Sequence, residues 1–130
     1  MNVHYMELLA PILERDARYA PQAYQFVREG LDYTVRKLDQ QRHVTGQELL
    51  DGLREYALIE FGPVAKRVLA EWGVEICVDF GNIVFNLVNE QLLGKTDEDS
   101  IEDFMNGYDF NEAFLQPFSP REPACCPINP

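Results

Sequence analysis

The stretch TGQELLDGLREYALIEFGPVAKRVLAEWG, residues 45–73, decides the fold class. Its first four residues have the form of a capping box: the Thr45 hydroxyl can accept from the backbone N–H three residues on, while the Glu48 carboxylate reaches back. Leu50, Leu53, Ala57 and Phe61 then recur at helical spacing and line one face. Gly62 ends that helix and Pro63 opens another, since glycine tolerates the backbone past a helix end and proline's missing N–H costs nothing at a first position. Val64, Val68 and Trp72 turn one face of the second helix inward, and Gly73 stops it.

Similar signals lie on either side. Upstream, Pro21 suits a first helical position, and Tyr24, Val27, Leu31, Val35 and Leu38 form one apolar stripe. Gly30 weakens that helix and reads as a close-packing point. Downstream, VEICVD (74–79) alternates as a short extended segment, and Asp79 can cap a helix that buries Phe80, Ile83, Val84, Leu87 and Val88. Gly94 lies past its end. LLGKT and IEDFM flank the polar turn DEDS as a small β-hairpin would, although residues 100–103 could equally cap one helical turn.

Helices at 46–61, 63–72 and 80–92 followed by a wing at 92–104 follow the order of a winged helix. The expected fold is therefore mainly α with a small β-hairpin: a helical bundle, winged-helix-like over about 45–110, within one compact domain at 1–118. Residues 119–130 form a Pro/Cys-containing extended tail, with five prolines among the last fourteen residues of the chain.

The chain of 130 residues is one domain's worth, and it carries 22 acids against 11 lysines and arginines. Residues 95–130 hold eight of those acids and two bases. A field of that sign repels phosphate backbones and favours basic or apolar partners. The helix expected to enter a DNA groove, FGNIVFNLVNEQLL, has no Lys or Arg, so direct nucleic-acid binding is not expected. No apolar run reaches the ~18–20 residues of a membrane span, and the first residues lack a signal peptide's pattern. Three cysteines, two adjacent, make a poor disulfide framework and suit a reducing compartment, so the expected location is cytoplasmic.

Three blocks, RHVTGQELLDGLREYALIEFGPVAKRVLAEWGV, DFGNIVFNLV and KTDEDSIEDFMNGYDFNEAF, together resemble a bacterial family of small conserved hypothetical proteins of planctomycetes, verrucomicrobia and related phyla. The likeness covers roughly residues 20–118. It implies a compact cytoplasmic domain and brings no activity and no catalytic residue with it.

The acidic segment 94–114 bears on function most directly. Asp97, Asp99 and Glu102 resemble the start of a calcium loop, but Ile101, Glu102 and Tyr108 occupy the places where that loop needs Asp or Asn, Gly and Glu. No metal and no cofactor are expected. Phe104, Tyr108, Phe110 and Phe114 are spaced to clip the segment onto the helical core as a clasp, with its carboxylates outward. Asp97, Glu98, Asp99, Glu102 and Asp103 are then the candidate docking face for a protein partner. No catalytic residue is expected: Ser100 and Ser119 lie in a turn and the tail, Cys77 with His43 is the sole nucleophile–base pairing, and Cys125–Cys126 supply only two of a zinc site's four ligands. The resulting reading is a non-enzymatic protein-interaction or regulatory domain. The alternative is a winged-helix transcription regulator, and a small enzyme ranks third.

Overall fold

The computed structural model describes residues 3–38, 44–93, 101–105 and 107–118. Among these residues five α-helices follow one another: α1 (Val3–Arg15), α2 (Pro21–Lys37), α3 (Gly46–Phe61), α4 (Ala65–Glu71) and α5 (Cys77–Asn89). Short 3-10 turns at Ile101–Phe104 and Gln116–Phe118 flank a π-helical turn at Asn111–Leu115. Among the described residues there is no strand.

The capping box of α3 forms as read: the Glu48 N–H donates to Thr45 Oγ1 at 3.1 Å, and the Thr45 N–H to Glu48 Oε1 at 3.0 Å. The α3–α4 joint also forms at Gly62, whose positive φ of 54° suits glycine. Helices α2 and α3 make the most extensive helix pair, because glycines let their backbones approach. A Cβ on Gly30 would fall 2.3 Å from Leu53 Cδ2, and one on Gly52 only 1.7 Å from Thr34 Oγ1. Thr34, buried here, donates its hydroxyl to the Gly30 carbonyl at 2.7 Å instead of to solvent. Tyr24, Val27, Leu50, Leu53, Phe80, Ile83 and Leu87 form the centre of the core, and α1 adds Tyr5, Leu9 and Ile12.

Three expectations need correction. The β-hairpin fails: Ile101–Phe104, the place of the second wing strand, is a 3-10 turn, the local alternative offered by the Ser/Asp-rich sequence. Without a strand there the winged-helix reading fails with it; residues 94–100, the rest of the supposed wing, lie outside the described residues, as do Gly94 and the 119–130 tail. What remains is a mainly helical bundle.

The α4 face is rotated. Ala65 and Leu69 are buried, whereas Val64 is 51% exposed and Val68 and Trp72 are half-buried. Gly62–Val64 forms a 3-10 turn, which advances about 120° per residue rather than about 100°, and so shifts the phase of the helix that follows.

The third correction concerns both ends of α5. Only the second half of the supposed extended segment, Cys77–Asp79, is helical: α5 starts there, with Ile76 in an extended conformation as the N-cap residue and Asp79 inside the helix. Isoleucine offers no acceptor, so only half a capping box exists: Asp79 Oδ2 accepts from the N–H groups of Glu75 (2.9 Å) and Ile76 (3.1 Å). At the far end, Gln91 takes φ +62° and two reverse bonds close the helix, Leu92 N–H to the Leu87 carbonyl and Gln91 N–H to that of Val88. The helix therefore stops at Asn89, short of residue 92.

Candidate functional site

The C-terminal segment closes on the bundle as a clasp. Phe104, Phe110 and Phe114 are buried, and Phe110 meets Phe114 edge-on with ring centroids 4.9 Å apart. Tyr108 donates its hydroxyl to the Leu50 carbonyl at 2.8 Å, and the Cys77 thiol meets the Tyr108 carbonyl at 3.4 Å. A Cβ on Gly107 would lie 2.5 Å from Cys77 Sγ, so glycine lets the segment approach α5. Gln47 Nε2 donates to the Asp103 carbonyl at 2.7 Å and fixes the clasp to the first turn of α3. Asp109 acts as a cap: its Oδ1 accepts from the N–H groups of Asn111 and Glu112 and orders the closing turn.

Of the five docking acids read from the sequence, the structure places Glu102 exposed on the clasp and Asp103 partly exposed beside it. Asp97, Glu98 and Asp99 lie outside the described residues. A cleft of about 330 Å³ opens between the clasp and the start of α5, with Lys66, Glu75, Ile76, Met105 and Asp109 in its lining. Ile76 and Met105 are 58% and 61% exposed. Burial pushes the Cys77 thiol above its ordinary pKa and keeps it protonated, and burial raises the Tyr108 hydroxyl well above its usual range. Such a thiol is a poor nucleophile. His43, its only sequence-level partner, lies outside the described residues, as do Ser100, Ser119, Cys125 and Cys126. No three His, Cys, Asp or Glu side chains among the described residues are grouped to hold a metal ion.

A polar seam joins the α1–α2 connection to α5. Tyr19 donates to Asp79 Oδ1 at 2.7 Å and accepts from Asn82 Nδ2 at 2.9 Å. Asn86 Nδ2 lies 3.0 Å from both Asp16 Oδ2 and the Tyr24 hydroxyl. Arg18 forks onto Asp16 through Nε and a terminal nitrogen at 2.9 and 2.7 Å. Burial, then the bond to Asp79, pushes Tyr19 up to about 12, so it remains a donor at neutral pH. Every group in this seam is engaged with another, an arrangement that fixes helix position rather than awaiting a substrate. The sequence signal was available: Asp79, Asn82 and Asn86 fall at i, i+3 and i+7, a polar stripe on one face of α5.

The third feature is a surface groove of about 240 Å³ where α2, α3 and the end of α4 meet. Phe26 forms its buried floor, and Tyr56, Phe61 and Trp72 form half-buried walls. Phe26 stands 5.5, 5.8 and 5.9 Å from those three rings, and Phe61 meets Trp72 at 81°. Glu29 and Glu60 form its acidic rim. Glu29 accepts from the Tyr56 hydroxyl at 3.2 Å and from Gln25 at 2.7 Å. Sequence reading missed this groove because its aromatic residues come from three elements.

Comparison with protein-family models, curated proteins and solved structures finds no match to this chain. No helix among the described residues is long and apolar enough to cross a membrane.

Proposed function

We propose that this chain is a non-enzymatic protein-interaction domain whose clasp face takes a basic, amphipathic segment of a protein partner. One observation carries the reading: exposed Ile76 and Met105 flank a cleft whose charged lining is Glu75 and Asp109 against the single cation Lys66, with Glu102 on the same clasp. Apolar contacts there supply burial and the carboxylates select for positive charge, the usual division of labour in an interface. The excess of acids in residues 95–130 adds to the negative charge a basic partner would meet. Membership of the bacterial family that residues 20–118 resemble, and a cytoplasmic location, belong to the same proposal.

The test replaces Asp97, Asp99 and Asp103 by Asn and Glu98 and Glu102 by Gln in one chain, with far-UV circular dichroism to verify the fold. Wild-type protein is expected to retain from a lysate a set of partners that the neutralised variant loses, and their retention should weaken with salt. An identical captured set from both chains removes the acidic face as the docking site. A second variant, Met105→Ser, is expected to weaken retention without altering its salt dependence.

A further inference from the structure

The groove between α2, α3 and the end of α4 has a chemistry of its own. Its floor and walls are the faces and edges of Phe26, Tyr56, Phe61 and Trp72, and its charged lining residues are Glu29 and Glu60. No lysine or arginine lines it. We infer that this groove binds the guanidinium group of an arginine side chain carried by a protein partner. The inference rests on the proposal that the chain is a protein-interaction domain, but it uses a different surface.

Charge complementarity selects a cation, because two carboxylates flank a site whose walls are electron-rich rings. Tyr56 reports the same field from within: burial first, then the charges of Glu29 and Glu60, push its hydroxyl up to about 12. Shape and hydrogen bonding select among cations. A guanidinium is planar, so it can lie against an aromatic wall while its edge donates to a carboxylate. Glu60 is exposed and makes no hydrogen bond or ion pair among the described residues, which leaves its oxygens available as acceptors. A quaternary ammonium has no N–H to give Glu60, and a primary ammonium has no flat face to lay on Trp72.

Trp72 is the only tryptophan in the sequence, so its emission reads this site directly. The probe is the blocked tripeptide acetyl-Gly-Arg-Gly-amide, titrated into the full chain beside the same peptide with citrulline, lysine or trimethyllysine in place of arginine. The arginine peptide should change Trp72 emission saturably in the millimolar range, as expected of about two or three weak contacts. Citrulline keeps the shape without the charge and should give no saturable change. Glu60→Gln, at an exposed position, should weaken the arginine response about fivefold. The five-acid clasp variant should leave it unchanged, which separates failure of this site from failure of the clasp reading. Lack of saturation, an equal response to citrulline, tighter binding of either ammonium peptide, or an unaltered response in Glu60→Gln would each overturn the assignment.

Discussion

Gly52 and Thr34 set the closeness of α2 and α3 at the scale of single atoms. The space a methyl group would need at position 52 is already filled by the Thr34 side chain, its Cβ 2.8 Å away and its Oγ1 nearer still. Thr34 cannot swing aside cheaply, because it is buried and its hydroxyl is committed to the Gly30 carbonyl. Gly52→Ala is therefore expected to destabilise the fold by about 1–3 kcal/mol through overpacking, despite alanine's better helix propensity. Thr34→Ala removes the hydroxyl, which is the nearest obstruction, and the methyl group, leaving only the Cβ 2.8 Å from the new atom. In the double variant the two losses should fall short of adding by about 1 kcal/mol or more, the signature of residues in direct contact. Urea unfolding of the four chains measures this, and strict additivity would mean the crossing relaxes elsewhere.

At the scale of elements, what could be read in advance depended on whether the signal was local. The α3 cap and the Gly62–Pro63 joint involve neighbours in sequence, and both were legible. The phase of α4 was not, because a turn of different pitch precedes it. The start of α5 was misread because alternation in VEICVD mimics a strand, whereas its Asp79 carboxylate folds back onto the N–H groups of Glu75 and Ile76. Of the clasp, the outward position of Glu102 and the burial of the anchoring rings Phe104, Phe110 and Phe114 were legible from spacing. The aromatic groove could not be, since Phe26 and Trp72 become neighbours only when α2 packs against the end of α4.

The seam that holds α5 to the α1–α2 connection combines a local ion pair with long-range hydrogen bonds. The Arg18 guanidinium, then the amide of Asn86, holds the Asp16 carboxyl well below the usual carboxylate range, although burial opposes them. An acid with a depressed folded-state pKa binds fewer protons folded than unfolded, so its contribution to stability is full above the unfolded value of about 3.9 and is lost as pH falls below it. Glu55, lowered chiefly by Lys37, acts in the same direction. Asp16→Asn should thus lower the urea midpoint at neutral pH and flatten, without abolishing, its decline between about pH 5 and pH 2. An acid decline as steep as the wild type's would show that Asp16 is not its source.

For the whole molecule, the decisive question is whether the clasp is an appendage or part of one cooperative unit. Its rings continue a chain that starts at the groove: Trp72 stands 5.9 Å from Phe26, Phe26 6.2 Å from Phe80, Phe80 5.8 Å from Phe110, and Phe110 4.9 Å from Phe114. Every link except Trp72 is buried. The clasp is also tied to the bundle's backbone, since Tyr108 donates to the Leu50 carbonyl of α3. Its acids repel those of the bundle in a chain of net charge −11, so apolar contact must offset that repulsion. Phe114→Ala removes a fully buried ring and should cost about 3–5 kcal/mol. If the clasp and helices unfold together, Trp72 fluorescence and far-UV circular dichroism will lose midpoint by the same amount in this variant, although the mutated ring does not reach Trp72. A detachable clasp would instead leave the Trp72 midpoint where it was and confine faster amide exchange to residues 101–118. The ring chain favours the first outcome, because loosening Phe114 also frees one side of Phe110 and, through it, Phe80 at the centre of the core.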